Sequence, residues 1–115
     1  MSENTNIDII VIDDDPMAGE LTKEILTDEG WNVLLIDDSN KAVEEIKRIK
    51  PKLVICDIMM PGINGMEICK IIKSNPETKK IKFVILSGKS YEQEKQRAMM
   101  LGADLFIKKP YNSDE

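Results

Sequence analysis

Groups that could carry out phosphoryl chemistry follow four of the five short apolar runs in the sequence. They are Asp13 and Asp14 after the first run, Asp57 after the third, Ser87 after the fourth and Lys109 after the fifth. If the runs are parallel strands, their carboxyl ends meet at one edge of a sheet, where open α/β folds bind their ligands. The pattern therefore predicts one site with three carboxylates, a hydroxyl and an ammonium group.

The chemistry of such a site follows from its charges. Three carboxylates at one edge repel one another unless a cation compensates them. Oxygen ligands in a chain without histidine favour a hard divalent ion, and we expect Mg²⁺, with Mn²⁺ as an alternative. A carboxylate, a hydroxyl and an ammonium around that ion are typical of phosphoryl transfer. We interpret Asp57 as a nucleophile that forms an acyl phosphate, with Lys109 and Ser87 stabilising the phosphoryl oxygens.

Each of these residues, taken singly, also has an ordinary explanation as a turn or loop residue, and only their joint placement indicates a site. Two neighbours are excluded from it. Asp15 stands directly before Pro16, as a helix N-cap residue does. Lys108 alternates with Lys109 along the fifth strand, so we interpret it as a surface charge.

Alternating strands and helices must position these groups. The apolar runs that predict strands lie at residues 7–12, 31–36, 53–56, 81–86 and 105–107. Helix starts are predicted at Asp15, at Ser39, at Asn64 with Glu67, and at Ser90 with Gln93; helix ends are predicted at Gly30, Pro51 and Gly102. This pattern predicts a single α/β domain over residues 1–115, with a parallel sheet between layers of helices.

Composition excludes several classes of function. The 115 residues, 42% of them hydrophobic, suffice for one core. The absence of histidine excludes histidine metal sites and Ser-His or Cys-His nucleophiles. A net charge of −5 disfavours direct binding to nucleic acid. Cys56 and Cys69 are expected to be reduced, buried thiols. Neither a membrane span nor a signal peptide is evident, so we expect a cytoplasmic protein without a membrane partner.

Four segments between Ile7 and Tyr111 resemble the receiver domains of two-component response regulators: IDDDP, CDIMMPGINGMEIC, VILSG and KKP. The resemblance implies a flavodoxin-like (CheY-like) doubly wound sheet of five parallel strands in the order 2-1-3-4-5. It implies that Asp57 accepts a phosphoryl group from a histidine kinase or a phosphotransfer protein, as a phosphoacceptor and not as a turnover enzyme. The signal would then pass to an effector domain or a downstream protein.

The same resemblance implies a ligand set for Mg²⁺. Asp14 and Asp57 would bind the ion together with the backbone carbonyl of Met59, and Asp13 would contribute through water. A cis peptide bond before Pro110 would direct Lys109 into the site.

A switch is also implied by the resemblance. Ser87 and Phe106 occupy the positions of the hydroxyl and the aromatic residue that move together on phosphorylation. Phe106 lacks the hydroxyl of the commoner tyrosine, so its inward rotamer would rest on packing alone. The implied readout surface is the fourth helix with the fifth strand.

Receivers normally end in an amphipathic helix, whereas only residues 111–115 follow the KKP segment here. We therefore expect the final helix to be missing and an apolar patch to lie beside the first helix. A longer regulator, or another chain in an oligomer, would cover that patch.

Two other functions fit parts of the pattern. A haloacid-dehalogenase-type phosphatase would use Asp13 and Asp15 as its aspartate pair, but it leaves Asp57 without a role. A receiver-like interaction module that is never phosphorylated would not need the complete set of site residues. A flavin-binding module is disfavoured because an acidic run after the first strand repels phosphate.

Overall fold

The computed structural model describes residues 6–58, 62, 64–87 and 92–108, and within these ranges it contains one five-stranded parallel sheet and four α-helices. The strands are β1 (Ile9–Ile12), β2 (Val33–Ile36), β3 (Leu53–Asp57), β4 (Lys82–Ser87) and β5 (Leu105–Lys108). The helices are α1 (Pro16–Asp28), α2 (Ala42–Ile49), α3 (Gly65–Ser74) and α4 (Glu92–Met100). The strand order β2-β1-β3-β4-β5 confirms the predicted fold.

The central strand shows why the sheet forms. β1 has the sequence IIVI, and all four side chains are buried, as expected for a strand that is covered on both faces. It pairs in parallel with β2 on one side and with β3 on the other. Further along the sheet, Asp57 pairs with Leu86, and Ser87 pairs with Lys108. The register therefore brings the carboxyl ends of β3, β4 and β5 to the same edge.

Helices α2, α3 and α4 cover one face of the sheet and bury most of the core with it. The predicted inner stripe of α3 is confirmed, because its apolar side chains are all buried: Met66, Ile68, Cys69 and Ile72. Cys56 and Cys69 are free thiols within this core, as expected. Burial, followed by the nearby charges of Asp57 and Asp13, raises the pKa of Cys56 well above its usual value. Burial raises the pKa of Cys69 to about 11.

The opposite face carries α1 and beside it an open groove of about 370 Å³. Its lining is almost wholly apolar: Thr22, Ile25, Leu26, Leu53, Ile55, Val84, Leu86, Leu105 and Ile107. This is the apolar surface that was expected next to the first helix. Coverage of the groove by a further segment or by another chain stays a prediction.

Two helix starts have the predicted caps. The Asp15 carboxylate accepts hydrogen bonds from the backbone N–H groups of Met17 at 3.1 Å and Ala18 at 3.4 Å. The Asn64 side-chain oxygen accepts one from the N–H of Glu67 at 3.0 Å. These bonds satisfy amides that have no partner inside the first helical turn.

The prediction that Ser39 caps the second helix is wrong. Asp38 is the capping residue, and its carboxylate accepts a hydrogen bond from the N–H of Asn40 at 3.0 Å. It opens a 3₁₀ turn over Ser39–Lys41, so α2 itself starts only at Ala42. Ser39 is buried inside the turn.

The methionines of the helices differ widely in burial, although methionine at helical spacing usually packs in a core. Met66 is buried, whereas Met17 is 82% exposed and Met100 is 85% exposed. They lie on the outer surfaces of α1 and α4. No helix in the described ranges combines the length and the apolar character needed to cross a membrane.

Candidate functional site

Three carboxylates meet at the carboxyl edge of the sheet. Asp13 and Asp14 follow β1, and Asp57 is the last residue of β3. Each contributes one carboxylate oxygen to a group whose members lie within 4.8 Å of one another. Asp13 and Asp57 are buried, and Asp14 is the most exposed of the three. The structure thus brings together the three acidic residues that the sequence placed at neighbouring strand ends.

This cluster has the composition of a site for a hard divalent cation. All three donors are carboxylate oxygens, and they carry like charges at short range. A divalent ion compensates that repulsion, and oxygen ligands are the ones that such ions prefer. The residues therefore fit a metal ion and could bind one.

Local hydrogen bonds separate the roles of the successive aspartates. The Asp13 N–H donates to the carbonyl of Ile36 at 3.1 Å, which ties the end of β1 to β2. The Asp13 carboxylate accepts the N–H of Asp15 at 3.0 Å. The Asp15 carboxylate is engaged at the start of α1 by the capping bonds described above. Asp15 therefore has a structural role, as the sequence predicted.

Ser87 and Phe106 lie on the same face of two neighbouring strands. Ser87 ends β4 and is 2% exposed. Phe106 pairs with Ile85 in register, two residues before the pair of Ser87 with Lys108. Since side chains alternate along a strand, Phe106 and Ser87 share a face. The Phe106 ring is partly buried and packs against the main core.

Several predicted site residues lie outside the described residues. These are Met59 with its carbonyl, Lys109, the peptide bond before Pro110 and the Ser90 cap. Lys108 is described and is exposed, in agreement with its interpretation as a surface charge.

Gly65 was not singled out from the sequence, yet it lies directly against the backbone of Asp57. It is the first residue of α3, and its N–H donates to the carbonyl of Ile58 at 3.2 Å. A β-carbon here would lie closer than 3.0 Å to the Asp57 carbonyl oxygen. The signals in the sequence are its place within the CDIMMPGINGMEIC segment and a glycine at a helical position, where alanine is the better helix former.

A second charged cluster lies at the other end of the sheet. The Lys73 ammonium is 2.8 Å from the Asp104 carboxylate and also donates to the carbonyls of Lys79 at 3.1 Å and Ile81 at 2.7 Å. Asp104 accepts the N–H of Phe83 at 2.8 Å as well. Burial alone would raise the pKa of Asp104, but the hydrogen bonds from Lys73 and Phe83 outweigh it and lower that pKa.

Comparison with known proteins gives one consistent family. Residues 9–115 match the response regulator receiver domain. The DNA-binding response regulator MtrA of Mycolicibacterium smegmatis is 30% identical over 107 residues, which are 93% of this chain and 46% of that protein. MtrA of Mycobacterium tuberculosis strain H37Rv matches with the same identity and coverage. The chain thus spans slightly less than half the length of these relatives.

The solved structures that resemble this fold are also receiver domains of response regulators. The signal receiver domain of a DNA-binding response regulator from Colwellia psychrerythraea superposes with a TM-score of 0.85 at 27% identity, over 90% of this chain and 86% of that one. The BeF3-activated N-terminal receiver domain of Klebsiella pneumoniae RstA gives a TM-score of 0.83 at 29% identity, with the same coverage of both chains.

Proposed function

The chain belongs to the response regulator receiver domain family, and we propose that Asp57 is its phosphoryl acceptor in a Mg²⁺-dependent reaction. The observation that carries the proposal is the convergence of Asp57 with Asp13 and Asp14 within 4.8 Å at the carboxyl edge. A lone aspartate in a turn would not need two further carboxylates beside it. An acceptor that works with a divalent cation does.

Mg²⁺ held by Asp13, Asp14, Asp57 and the carbonyl of Met59 would supply positive charge close to the phosphoryl oxygens. A carboxylate oxygen of Asp57 attacks phosphorus and forms a new P–O bond. The bond from phosphorus to the donor breaks, and the donor leaves with that electron pair. One phosphoryl group is thus transferred from the donor to Asp57, which holds it as an acyl phosphate.

Two further groups stabilise the transferred phosphoryl group in this proposal. The Ser87 hydroxyl at the end of β4 donates a hydrogen bond to one phosphoryl oxygen, and the Lys109 ammonium beyond β5 compensates the charge of another. Both are proposed because Ser87 ends β4 and Lys109 follows β5 in the sequence, and these strands end at the same edge as β3. Their contribution is positioning and charge, which dominate catalysis of phosphoryl transfer.

Ser87 and Phe106 also form the proposed switch. Their shared face lets a movement of the Ser87 side chain toward a phosphoryl oxygen open space for the Phe106 ring. The ring is only partly buried, so an inward rotamer would bury more apolar area. The surface of α4 and β5 would change with it and transmit the signal.

We infer the partners from the family. The donor is a histidine kinase or a phosphotransfer protein, and the recipient of the signal is an effector domain or a separate downstream protein. MtrA is named as a DNA-binding response regulator, so in that relative the output acts on DNA. This chain accepts one phosphoryl group per molecule and does not turn over a substrate.

Intact-mass spectrometry tests the proposal. Incubation with acetyl phosphate and Mg²⁺ should add one phosphoryl group to the wild-type chain, and EDTA should prevent the addition. Asp57→Asn should remain unmodified, because the amide oxygen is a far weaker nucleophile. An unmodified wild type, or a modified Asp57→Asn chain, would refute the assignment.

A phosphate-release assay separates the phosphatase alternative. That alternative needs Asp15 in the active site, whereas the Asp15 carboxylate caps α1. Steady release of phosphate from phosphate esters, lost in Asp13→Asn, would support a phosphatase. We expect no such turnover.

A further inference from the structure

Gly65 is packed against main-chain atoms that cannot move aside by rotating a side chain. Beyond the overlap with the Asp57 carbonyl oxygen, a β-carbon at residue 65 would lie 3.1 Å from the Asp57 carbonyl carbon and 3.1 Å from the Ile58 α-carbon. The Gly65 backbone angle φ is not positive, so the glycine is not required by an unusual backbone conformation. What residue 65 requires is the absence of a side chain.

The elements on both sides of this contact are fixed. On one side, α3 is anchored in the core by Ile68, Cys69 and Ile72, all fully buried. On the other side, Asp57 pairs with Leu86 in the sheet, and the Ile58 N–H donates to the carbonyl of Leu86 at 3.0 Å. A methyl group at residue 65 must therefore displace the backbone where β3 ends. That backbone carries the Asp57 carboxylate.

We propose that Gly65 is a positioning residue for phosphoryl transfer to Asp57, because its bare backbone lets α3 begin against the Asp57 carbonyl and holds the carboxylate beside Asp13 and Asp14. The inference rests on the proposed function of Asp57 and adds a residue to it. Gly65 touches neither the metal nor the phosphoryl group. Its effect passes through the main chain of Asp57 and Ile58.

Gly19 supplies a matched control. It is also a buried helical glycine, in α1, and a β-carbon there would also approach another atom closely, at 2.9 Å. That atom is Cδ1 of Leu35, the far end of a flexible side chain. Alanine at either position improves helix propensity. The nearest atom of the acidic cluster, Cβ of Asp13, would lie at 3.5 Å, which is an ordinary van der Waals contact. The two substitutions therefore differ mainly in whether the crowded atom belongs to a side chain or to the Asp57 backbone.

The test compares Gly65→Ala, Gly19→Ala and wild type by intact-mass spectrometry with acetyl phosphate. The rate is expressed per folded molecule, with the folded fraction measured by circular dichroism, and is recorded over a range of Mg²⁺ concentrations. We expect Gly65→Ala to lower the rate at saturating Mg²⁺ at least tenfold, which corresponds to about 1.4 kcal/mol. The Mg²⁺ concentration for half-maximal rate should rise, since Asp57 is a proposed ligand. Gly19→Ala should stay within about twofold of wild type.

A purely structural role for Gly65 would lower the folded fraction and leave both the rate per folded molecule and the Mg²⁺ midpoint unchanged. That result would overturn the inference. If Gly65→Ala is poorly folded, trimethylamine N-oxide favours the compact state and allows the same measurement. A chain that stays unfolded even then would show that Gly65 serves folding, which also contradicts the inference. Failure of wild type to accept phosphate would instead refute the proposed function.

Discussion

The two ends of the sheet hold their charged groups in opposite ways. At the carboxyl ends, Asp13, Asp14 and Asp57 bring three like charges within 4.8 Å. At the amino ends, Lys73 and Asp104 bring opposite charges to 2.8 Å, and hydrogen bonds to main-chain groups surround them. The first arrangement gathers like charges that a divalent cation would compensate, whereas the second pairs opposite charges.

The difference indicates which end serves stability and which serves function. A charged pair whose donors and acceptors are satisfied within the chain needs nothing from outside. A cluster of like charges becomes favourable when a cation binds. The scaffold holds the acidic cluster in place through main-chain bonds and buried strands. Substitutions at the two ends should therefore separate stability from phosphoryl transfer.

The largest expected change in stability comes from breaking the amino-end pair. Lys73→Met should lower the free energy of unfolding by about 2 kcal/mol, mainly because it leaves two backbone carbonyls, one of them on the buried residue Ile81, without the ammonium. Urea denaturation followed by circular dichroism measures the loss. The rate of phosphorylation per folded molecule should not change.

Lys52→Met is the control for removing a lysine at the same end of the sheet. The Lys52 ammonium is 3.6 Å from Asp8, and its side chain is 77% exposed, so solvent screens the pair. The loss should be below about 1 kcal/mol. Equal losses of unfolding free energy in Lys73→Met and Lys52→Met would show that the contacts of Lys73 stabilise the fold no more than an exposed ion pair does.

Mg²⁺ should stabilise the carboxyl end. At a Mg²⁺ concentration ten times the dissociation constant, the free energy of unfolding should rise by about 1.4 kcal/mol. Asp13→Asn should lose most of this gain, because one of three proposed charged ligands becomes neutral. Lys73→Met should retain it. Thermal denaturation with MgCl2 and with EDTA makes the comparison, and equal Tm values for wild type in the two solutions would contradict the metal site.

Without a metal ion, neutralising one carboxylate of the cluster should stabilise the fold. We expect Asp57→Asn in EDTA to raise the free energy of unfolding by at least about 1 kcal/mol, because like charges about 4 Å apart repel by that much even at the dielectric constant of water. Asp104→Asn should have the opposite sign, because it removes one member of an attractive pair. If Asp57→Asn and Asp104→Asn both shift the denaturation midpoint in the same direction from wild type, the proposed difference between the two ends is wrong.

The pH dependence of stability should show a smaller effect of the Lys73–Asp104 pair at the amino ends. The pKa of Asp104 is lowered in the folded chain, so its contribution to stability is fully present above the unfolded pKa of about 4 and is lost as pH falls through the lower folded pKa. Wild type should therefore lose more stability than Asp104→Asn below about pH 4. Parallel Tm profiles for the two chains would contradict this.

The smallest expected effect is on tryptophan fluorescence. Trp31 immediately precedes Asn32, whose carbonyl accepts a bond from the amino-terminal side of β1, so its ring lies at the end of the sheet away from the carboxylates. Trp31 is 45% exposed. We expect Mg²⁺ to leave its emission nearly unchanged. A strong quench by Mg²⁺ that EDTA reverses would place the metal elsewhere.

The sequence predicted the fold because its signals were redundant. Each strand had an apolar run, and the helix starts at Asp15 and Asn64 had capping residues that the structure confirms. The errors are at boundaries. β1 starts at Ile9 and not at Ile7, and β2 starts two residues after Trp31. Ile7 and Trp31 lie beyond the polar residues Asp8 and Asn32, so an apolar residue near a strand does not mark where its pairing starts.

Three features of the structure depend on information that the local sequence does not contain. Asp38 and Ser39 are both residue types that cap helices well. Asp38 is the cap because a 3₁₀ turn over Ser39–Lys41 precedes α2. Lys73 resembles any lysine in a last helical turn until folding brings it to Asp104. The close approach of Gly65 to Asp57 depends on where α3 is anchored in the core. All three depend on tertiary packing.

The position of the site could be predicted because the ends of the strands could be predicted. Asp13, Asp14 and Asp57 follow runs whose parallel pairing puts them at one edge, and the structure brings them together there. Their roles as metal ligands and acceptor, like those of Ser87 and Phe106, stay predictions. Chemistry depends on a bound ion and a donor, and neither is encoded by the fold alone.

The most direct test is to locate the phosphoryl group on the wild-type chain. After reaction with acetyl phosphate and Mg²⁺, borohydride reduces an aspartyl phosphate to homoserine and releases phosphate, and tandem mass spectrometry of the peptides then reads its position. We expect homoserine at residue 57 and at no other aspartate. Homoserine at residue 13, 14 or 15, or none at residue 57 in a chain that has gained phosphate, would contradict it.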